Sequence, residues 1–196
     1  DRKLDKSLER LKRSEINLYQ LHNKIVNLET ENCFSAKDIT KKKGVLDSLE
    51  KLKSEGRIKN IGITALGDIE SIIEVIKTDG FDSAQVYYNL LNPSAAFYER
   101  KRWDDHHFSG LINQCIKHDM GIMGIRIFAA GFLATDIRHG REIPVTKGIS
   151  ELEQKRRINK LFDLINNKEE TRAQTSIRYG LSNENLSCIV TGLAKI

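Results

Sequence analysis

Apolar residues dominate the run Ile16-Asn17-Leu18-Tyr19-Gln20-Leu21, and His22-Asn23 ends it. Six residues of this kind are too few for a helix, so the run predicts a short strand. A histidine at the carboxyl end of a buried strand is where α/β enzymes place working residues. The residues alone leave open a packed histidine at the edge of the core. Arg126 is a second candidate, because it interrupts the apolar run Gly121–Phe128. An arginine inside such a strand is costly unless it is paired or reaches a ligand, which points to an anionic ligand group or to a buried ion pair. His106 and His107 are adjacent, and adjacent side chains diverge on most backbones, so no metal pair is expected of them. Cys33, Cys115 and Cys188 lie far apart with no CxxC pair. That spacing predicts reduced thiols in a cytosolic protein, with neither a zinc site nor a disulfide framework.

These residues need elements to hold them. Leu4, Leu8 and Leu11 have helical spacing and predict an amphipathic helix over residues 4–13 that feeds the first strand, 16–21. A polar stretch, 23–43, ends in Lys41-Lys42-Lys43, which read as a solvated helix entry. Val45, Leu46, Leu49 and Leu52 mark a second helix, stopped by Gly56 in the C′ position. A strand over 58–64 follows, then a helix with Asp68 as its N-cap and Ile69, Ile72, Ile73 and Ile76 on one face. A third strand over 84–88 leads to a long loop, 92–109, with Pro93 and Trp103. It reads as an aromatic loop over a site or as a surface insertion. Leu111, Ile112, Cys115 and Ile116 form another helical stripe before the strand 121–128. A loop over 135–150 carries Arg138, Arg141 and Lys147. Two helices follow, the first with Leu161, Phe162 and Ile165 inward, the second over 169–179 and ending at Gly180. Ser182 caps a turn before a last strand, 187–191.

Alternation of strands and helices implies parallel strands with helical crossovers. Five strands are too few for a closed eight-stranded barrel, so the pattern suits an open doubly wound sheet or a truncated barrel. No G-x-G-x-x-G, Walker A or G-x-S-x-G motif follows any strand, which weakens the nucleotide-binding open sheet. With 39% hydrophobic and 30% charged residues in 196, the composition is that of one globular domain with a sizeable core, not of a disordered chain. The net charge of +5 is spread too thinly to argue for nucleic acid and mildly favours phosphate-bearing ligands. The apolar stretch Gly121–Ala134 is too short to span a bilayer. A start without Met, directly on a helical pattern, and a stop soon after a strand suggest a piece of a larger chain.

Several motifs, in order, resemble the aldo-keto reductase family. Ser7-Leu8-Glu9-Arg10-Leu11 with Ile16–His22 is similar to its helix and fourth strand. Leu49–Gly56 and Arg57–Ile63 are similar to the next helix and fifth strand, and Gln85-Val86-Tyr87-Tyr88-Asn89-Leu90-Leu91 to the sixth. Gly121–Leu133 resembles the seventh strand and its turn, and Ile177-Arg178-Tyr179-Gly180-Leu181-Ser182 to Gly192 the approach to the eighth. Gly62-Ile63-Thr64-Ala65-Leu66-Gly67-Asp68 and Tyr88-Asn89-Leu90-Leu91-Asn92-Pro93 look most like the aldose or sugar dehydrogenase branch.

The resemblance implies an incomplete (β/α)8 TIM barrel, one partial domain over 1–196. It implies hydride transfer between NADP, or NAD, and a small carbonyl or sugar substrate in the cytoplasm, with no nucleic acid or membrane as partner. His22 matches the histidine that bonds the substrate carbonyl. Thr64-Ala65 matches a Ser-Asn pair on the nicotinamide carboxamide, with the hydroxyl kept and the amide lost. Gln85 matches the glutamine on that carboxamide. Arg126 is placed toward the diphosphate or substrate, beside a turn of Phe128, Ala129, Ala130 and Gly131, and Lys195 toward the adenosine phosphate. The aromatic residue that often stacks on the nicotinamide has no counterpart, since Ile125 and Arg126 occupy its neighbourhood. The family's tyrosine acid and its aspartate and lysine lie on the first three strands and have no counterpart here; Tyr19, Tyr87 and Tyr88 read as packing residues. The alternative to an enzyme fragment is an inactive half-barrel that binds a partner, and an incomplete barrel would expose edges that favour self-association.

Overall fold

The computed structural model describes residues 2–28, 30–98, 106–138, 149–166 and 169–192. Five strands form one parallel sheet in the order β1-β4-β5-β6-β7: β1 Ile16–Leu21, β4 Ile58–Ala65, β5 Ser83–Tyr87, β6 Gly121–Ile125 and β7 Cys188–Ile189. The helices α1 (Arg2–Leu11), α3 (Val45–Ser54), α4 (Ile69–Ile76), α5 (Leu111–Lys117), α6 (Glu151–Ile165) and α7 (Arg172–Leu181) alternate with them as the periodicity predicts. The chain divides into two compact units, one of residues 1–85 and 114–121, the other of 86–113 and 122–196.

In the first unit, β1 and β4 pair in parallel with Gln20 opposite Gly62 and Leu21 opposite Ile63. Side chains alternate along a strand, so Gly62 and Thr64 share one face of β4 while Ile61, Ile63 and Ala65 take the other. Those three are 1% exposed or less. Burial of each isoleucine contributes about 1.5–3 kcal/mol. α3 packs on β4 and buries Leu46, Leu49 and Leu52. Gly56 at φ 72 ends α3 in the left-handed conformation expected of a C′ glycine. Leu4 and Leu8 of α1 are buried, whereas Leu11 is exposed. Asp5 of that helix pairs with Arg57, just before β4.

The polar stretch 23–43 holds more structure than its composition suggests. β2 (Lys24–Val26) and β3 (Cys33–Ser35) pair in parallel, and α2 (Ala36–Thr40) follows. Ser35 caps α2 by accepting from the Asp38 amide, and hydrogen bonds from Lys41 and then Ser35 hold the Asp38 carboxyl below its usual range. Ile25 and Ile39 are fully buried, and these two residues give the segment its core. Lys41, Lys42 and Lys43 are solvated, between α2 and α3.

β2 is fastened to the chain after β4. The Ile25 amide donates to Leu66 O (2.8 Å), the Asp68 amide donates to Ile25 O (2.8 Å), and the Asn27 amide donates to Asp68 Oδ2 (2.6 Å). Asp68 is thus the N-cap of α4 by position, but its carboxylate serves Asn27 and caps no helix amide. At Gly67 the backbone has φ 128, and a Cβ there would stand 1.8 Å from Ile25 O.

In the second unit, β6 ends at Ile125, earlier than the apolar run predicts. Arg126 is exposed at φ 62, so it is not an arginine buried inside a strand. A left-handed residue cannot continue a ladder, and the Asn89 side chain claims the Arg126 carbonyl (2.9 Å). In α6 the buried residues are Gln154 and Ile158; Leu161 and Phe162 are half-buried and Ile165 is exposed, which corrects the expected inward face. Thr171 and Gln174 form a capping box on α7, and Tyr179 of α7 stacks on Tyr88 (5.2 Å, 13°). β7 spans Cys188–Ile189, shorter than the run 187–191. Ser182 stands at the C-cap of α7 and donates to Tyr179 O. Trp103, Arg141 and Lys147 lie outside the described residues.

Two outcomes are expected from this packing. Gly67→Ala should lower stability by about 2–4 kcal/mol, from backbone strain plus disturbed hydrogen bonds at Ile25, read as a shift of the urea midpoint. Burial pushes the Cys115 thiol up to about 12, whereas Cys188 is exposed. In the folded protein, 5,5′-dithiobis(2-nitrobenzoic acid) should therefore label Cys188 and spare Cys115 until denaturant is added.

Candidate functional site

Within the first unit, the register of β1 and β4 sets a layered polar face. Gln20 lies opposite Gly62, so the next positions on that face are His22 beyond the end of β1 and Thr64 near the end of β4. On β5, Ser83 and Gln85 occupy the matching face. The lower layer is Gln20, Gly62 and Ser83. Gln20 Nε2 reaches Ile63 O (3.4 Å), and Ser83 Oγ reaches Gln20 Oε1 (3.4 Å). A Cβ on Gly62 would fall 1.4 Å from Gln20 Oε1, so only glycine lets that amide cross the strand.

The upper layer holds the candidate residues. Thr64 is 2% exposed and donates its hydroxyl to Gln85 Oε1 at 2.9 Å. Gln85 is half-buried, and its Nε2 has no hydrogen-bond partner among the described residues. His22 is exposed, one residue past β1, likewise with no partner among them. An imidazole and a carboxamide donor thus stand at the carboxyl ends of parallel strands, on one face. Ala65 faces away from Thr64 and is fully buried, so no second amide reaches this face from β4.

The second unit carries a separate feature beyond β6. Arg126, Ala129 and Ala130 have φ of 62, 46 and 57, and Gly131 has φ 91. Asn89, 1% exposed, holds this turn from the end of β5. Its Nδ2 donates to Arg126 O, and its Oδ1 accepts from the Leu91 and Asn92 amides (3.0 Å each). Asn92 and Ser94 continue the network, with Asn92 Nδ2 donating to His106 O (2.6 Å) and the Phe108 amide donating to Ser94 Oγ (3.1 Å). The Arg126 guanidinium has no ion pair among the described residues. Small residues with amides in a left-handed turn beside a cation can take an anion, diphosphate included.

Tyr87 and Tyr88 are 5% and 4% exposed, and Tyr87 stacks on His106 (5.3 Å). Burial pushes the phenols of Tyr87 and Tyr179 above their ordinary values, the wrong direction for an acid that works near neutral pH. They are packing residues. Among the described residues, no cluster of His, Cys, Asp or Glu could hold a metal ion, and no helix is long and apolar enough to cross a membrane.

Thr64 and Gln85 are in direct contact, and His22 joins them by register; Arg126 belongs to the second unit, and Lys195 lies outside the described residues. The sequence pattern does not single out Gln20, Ser83 or Asn89 as supports of these positions. Asn89-Leu90-Leu91-Asn92-Pro93-Ser94 carries the signal that could have found the last of them, since Asn and Ser side chains close such turns on nearby amides.

Comparison with known proteins gives the arrangement a context. Two structures of the aldo-keto reductase AKR11C1 from Bacillus halodurans superpose on the chain. The holo form has 20% identity and a TM-score of 0.68 over 100% of this chain and 54% of that one. The apo form has 18% identity and a TM-score of 0.67 over 99% and 57%. The glycerol dehydrogenase AKR11B4 from Gluconobacter oxydans has 14% identity and a TM-score of 0.63 over 96% and 53%. The chain therefore spans little more than half the length of these structures, and its fold is that of a partial (β/α)8 barrel. No curated protein matches the sequence. The model of the Aldo/keto reductase family matches residues 1–196, the whole length that holds His22, Thr64, Gln85 and the Arg126 turn, and the chain belongs to that family.

Proposed function

We propose that the full protein carrying residues 1–196 is an oxidoreductase of the aldo-keto reductase type. It moves a hydride between a nicotinamide cofactor, NADP or NAD, and a small carbonyl or alcohol substrate of the aldose kind. The chain is one partial barrel domain in this proposal, and its three unpaired cysteines suit a reducing compartment such as the cytoplasm. The observation that carries the proposal is the polar layer at the strand ends, His22, Thr64 and Gln85, in a chain matched by one family along its whole length.

The residues fit such a cofactor. Gln85 has an amide donor with no partner among the described residues, suited to an uncharged carboxamide, with Thr64 behind it. In the second unit, taken by itself, Arg126 and the turn 128–131 suit a diphosphate; Lys195, outside the described residues, is assigned to the adenosine phosphate by the family resemblance alone. When bound, the cofactor supplies the hydride. His22, with no hydrogen-bond partner among the described residues, donates to the carbonyl oxygen, fixing its orientation and stabilising the charge that grows there.

The test uses the intact protein. Calorimetric titration with NADPH should give saturable binding, and NADPH should be consumed on addition of an aldehyde or aldose. His22→Ala should cut kcat/KM by about 10²–10³-fold while NADPH affinity stays within about twofold. Arg126→Ala should weaken NADPH binding by about tenfold or more and flatten its salt dependence, with Arg126→Lys intermediate. Failure to bind either NADPH or NADH overturns the proposal. Binding without turnover of any carbonyl, unchanged in His22→Ala, favours the inactive half-barrel that binds or assembles.

A further inference from the structure

Asp68 departs from the ordinary use of its position. An aspartate at an N-cap accepts from an amide two or three residues on, and Ser35, Ser150 and Thr171 each do so at the head of their own helices. At the head of α4 no such bond is made. Asp68 Oδ2 accepts instead from the backbone amide of Asn27, forty-one residues earlier, at 2.6 Å. Ser71, at the N3 position, is turned to the same partner. It is 4% exposed, and its hydroxyl donates to Asn27 Oδ1 at 2.8 Å. The first turn of α4 thus gives up its cap to hold Asn27, and local rules broken in this way collect at functional sites. The consequence reaches His22. Leu21 is fixed by its pairing with Ile63, and Ile25 is fixed by Leu66 O on its amide and by the Asp68 amide on its carbonyl. Only residues 22–24 lie between these two fixed points, and each spans at most about 3.6 Å. The Ile25 bonds run from backbone to backbone. The Asp68 and Ser71 side chains carry the bonded segment two residues farther, so Ile25 is an interior member of it rather than an end that frays.

We propose that Asp68, with Ser71 beside it, is a positioning residue for His22, holding Asn27 so that the imidazole keeps the place from which it meets a substrate carbonyl. The proposal rests on the reading of His22 given above and adds the residue that keeps it in place. Asp68 itself touches neither substrate nor cofactor in this role. It acts through the backbone, where a displacement of about 1 Å at the working group can cost about a hundredfold in rate.

The experiment is a double-mutant cycle in the intact protein with two readouts. The first is reduction of an aldehyde or aldose by NADPH. Asp68→Ala should lower kcat/KM by about tenfold and leave NADPH affinity within about twofold of wild type. In the His22→Ala background the same change should cost less than about twofold, because the group it positions is gone. Asp68→Asn keeps an oxygen able to accept from Asn27 and should recover most of the loss. The second readout is hydrogen exchange on the protein alone. Amides of residues 22–27 should exchange about tenfold faster in Asp68→Ala, with those of β4 unchanged. Asn27→Ala, at an exposed position, removes the Ser71 bond and should show both effects at about threefold; it decides the matter if Asp68→Ala fails to fold. Equal losses from the substitution with and without His22 mean that the bond only stabilises the fold, and that result overturns the proposal. Unchanged exchange over residues 22–27 overturns it as well. If the wild-type protein reduces no carbonyl, the reading of His22 fails and takes this proposal with it, whereas turnover without the coupling to His22 overturns this proposal alone.

Discussion

The two-residue alternation of β4 is the constraint on which the rest of the first unit depends. Its odd positions, Ile61, Ile63 and Ala65, must be apolar because they are buried to 1% or less. Its even positions are thereby committed to the opposite face, where Gly62 leaves room for the Gln20 amide and Thr64 meets Gln85. A slip of one residue between β1 and β4 would exchange the two sets, putting the Thr64 hydroxyl among the isoleucines and an isoleucine beside Gln85. Core and site are therefore specified by one register. The stability of the buried face is what keeps the polar face in place.

The second unit solves a different problem, which is how to stop a strand and present a cation. Asn89 uses both ends of its amide. Nδ2 takes the Arg126 carbonyl, and Oδ1 takes two successive amides of its own loop. The left-handed residues that follow are costly for side chains other than glycine, and a buried three-bond anchor at the start of the turn offsets that cost. The exposure of Arg126 follows from this anchoring, since a residue thrown out of the ladder need not bury its charge.

Periodicity made most of the architecture legible. The stripes of Leu46, Leu49 and Leu52 and of Ile72 and Ile76 mark helices because burial of one face repeats every 3.6 residues. Gly56 marked a helix end because its φ is one that few other residues adopt cheaply. What was not legible depended on partners distant in sequence. β2 and β3 are three residues each, too short to show alternation, and β2 is fixed by amides and carbonyls after β4, which carry no side-chain signature. Apolar residues continue past Ile125 while the backbone turns, so the sequence pattern overruns the end of β6; the deciding contact comes from Asn89, thirty-seven residues earlier. The inward face of α6 is masked in the sequence because Gln154 is buried in place of a hydrophobic residue. Residue types could nominate His22, Thr64 and Gln85 in the first unit and, separately, Arg126 in the second. They could not show that the Thr64 hydroxyl is already committed to Gln85.

The clasp between β2 and the chain after β4 bears on how this part of the fold can diversify. His22 leaves β1, and only three residues later Ile25 is gripped on both its amide and its carbonyl. Asn27 extends the grip through Asp68 and through the Ser71 hydroxyl. The histidine thus sits on a short span pinned at both ends, where an inserted residue would have no slack to occupy. Length variation is tolerable only farther along, between Asn27 and the start of β3 at Cys33. Natural relatives and engineered loops alike should therefore reshape the surroundings of His22 from that side, leaving the spacing between His22 and Ile25 intact.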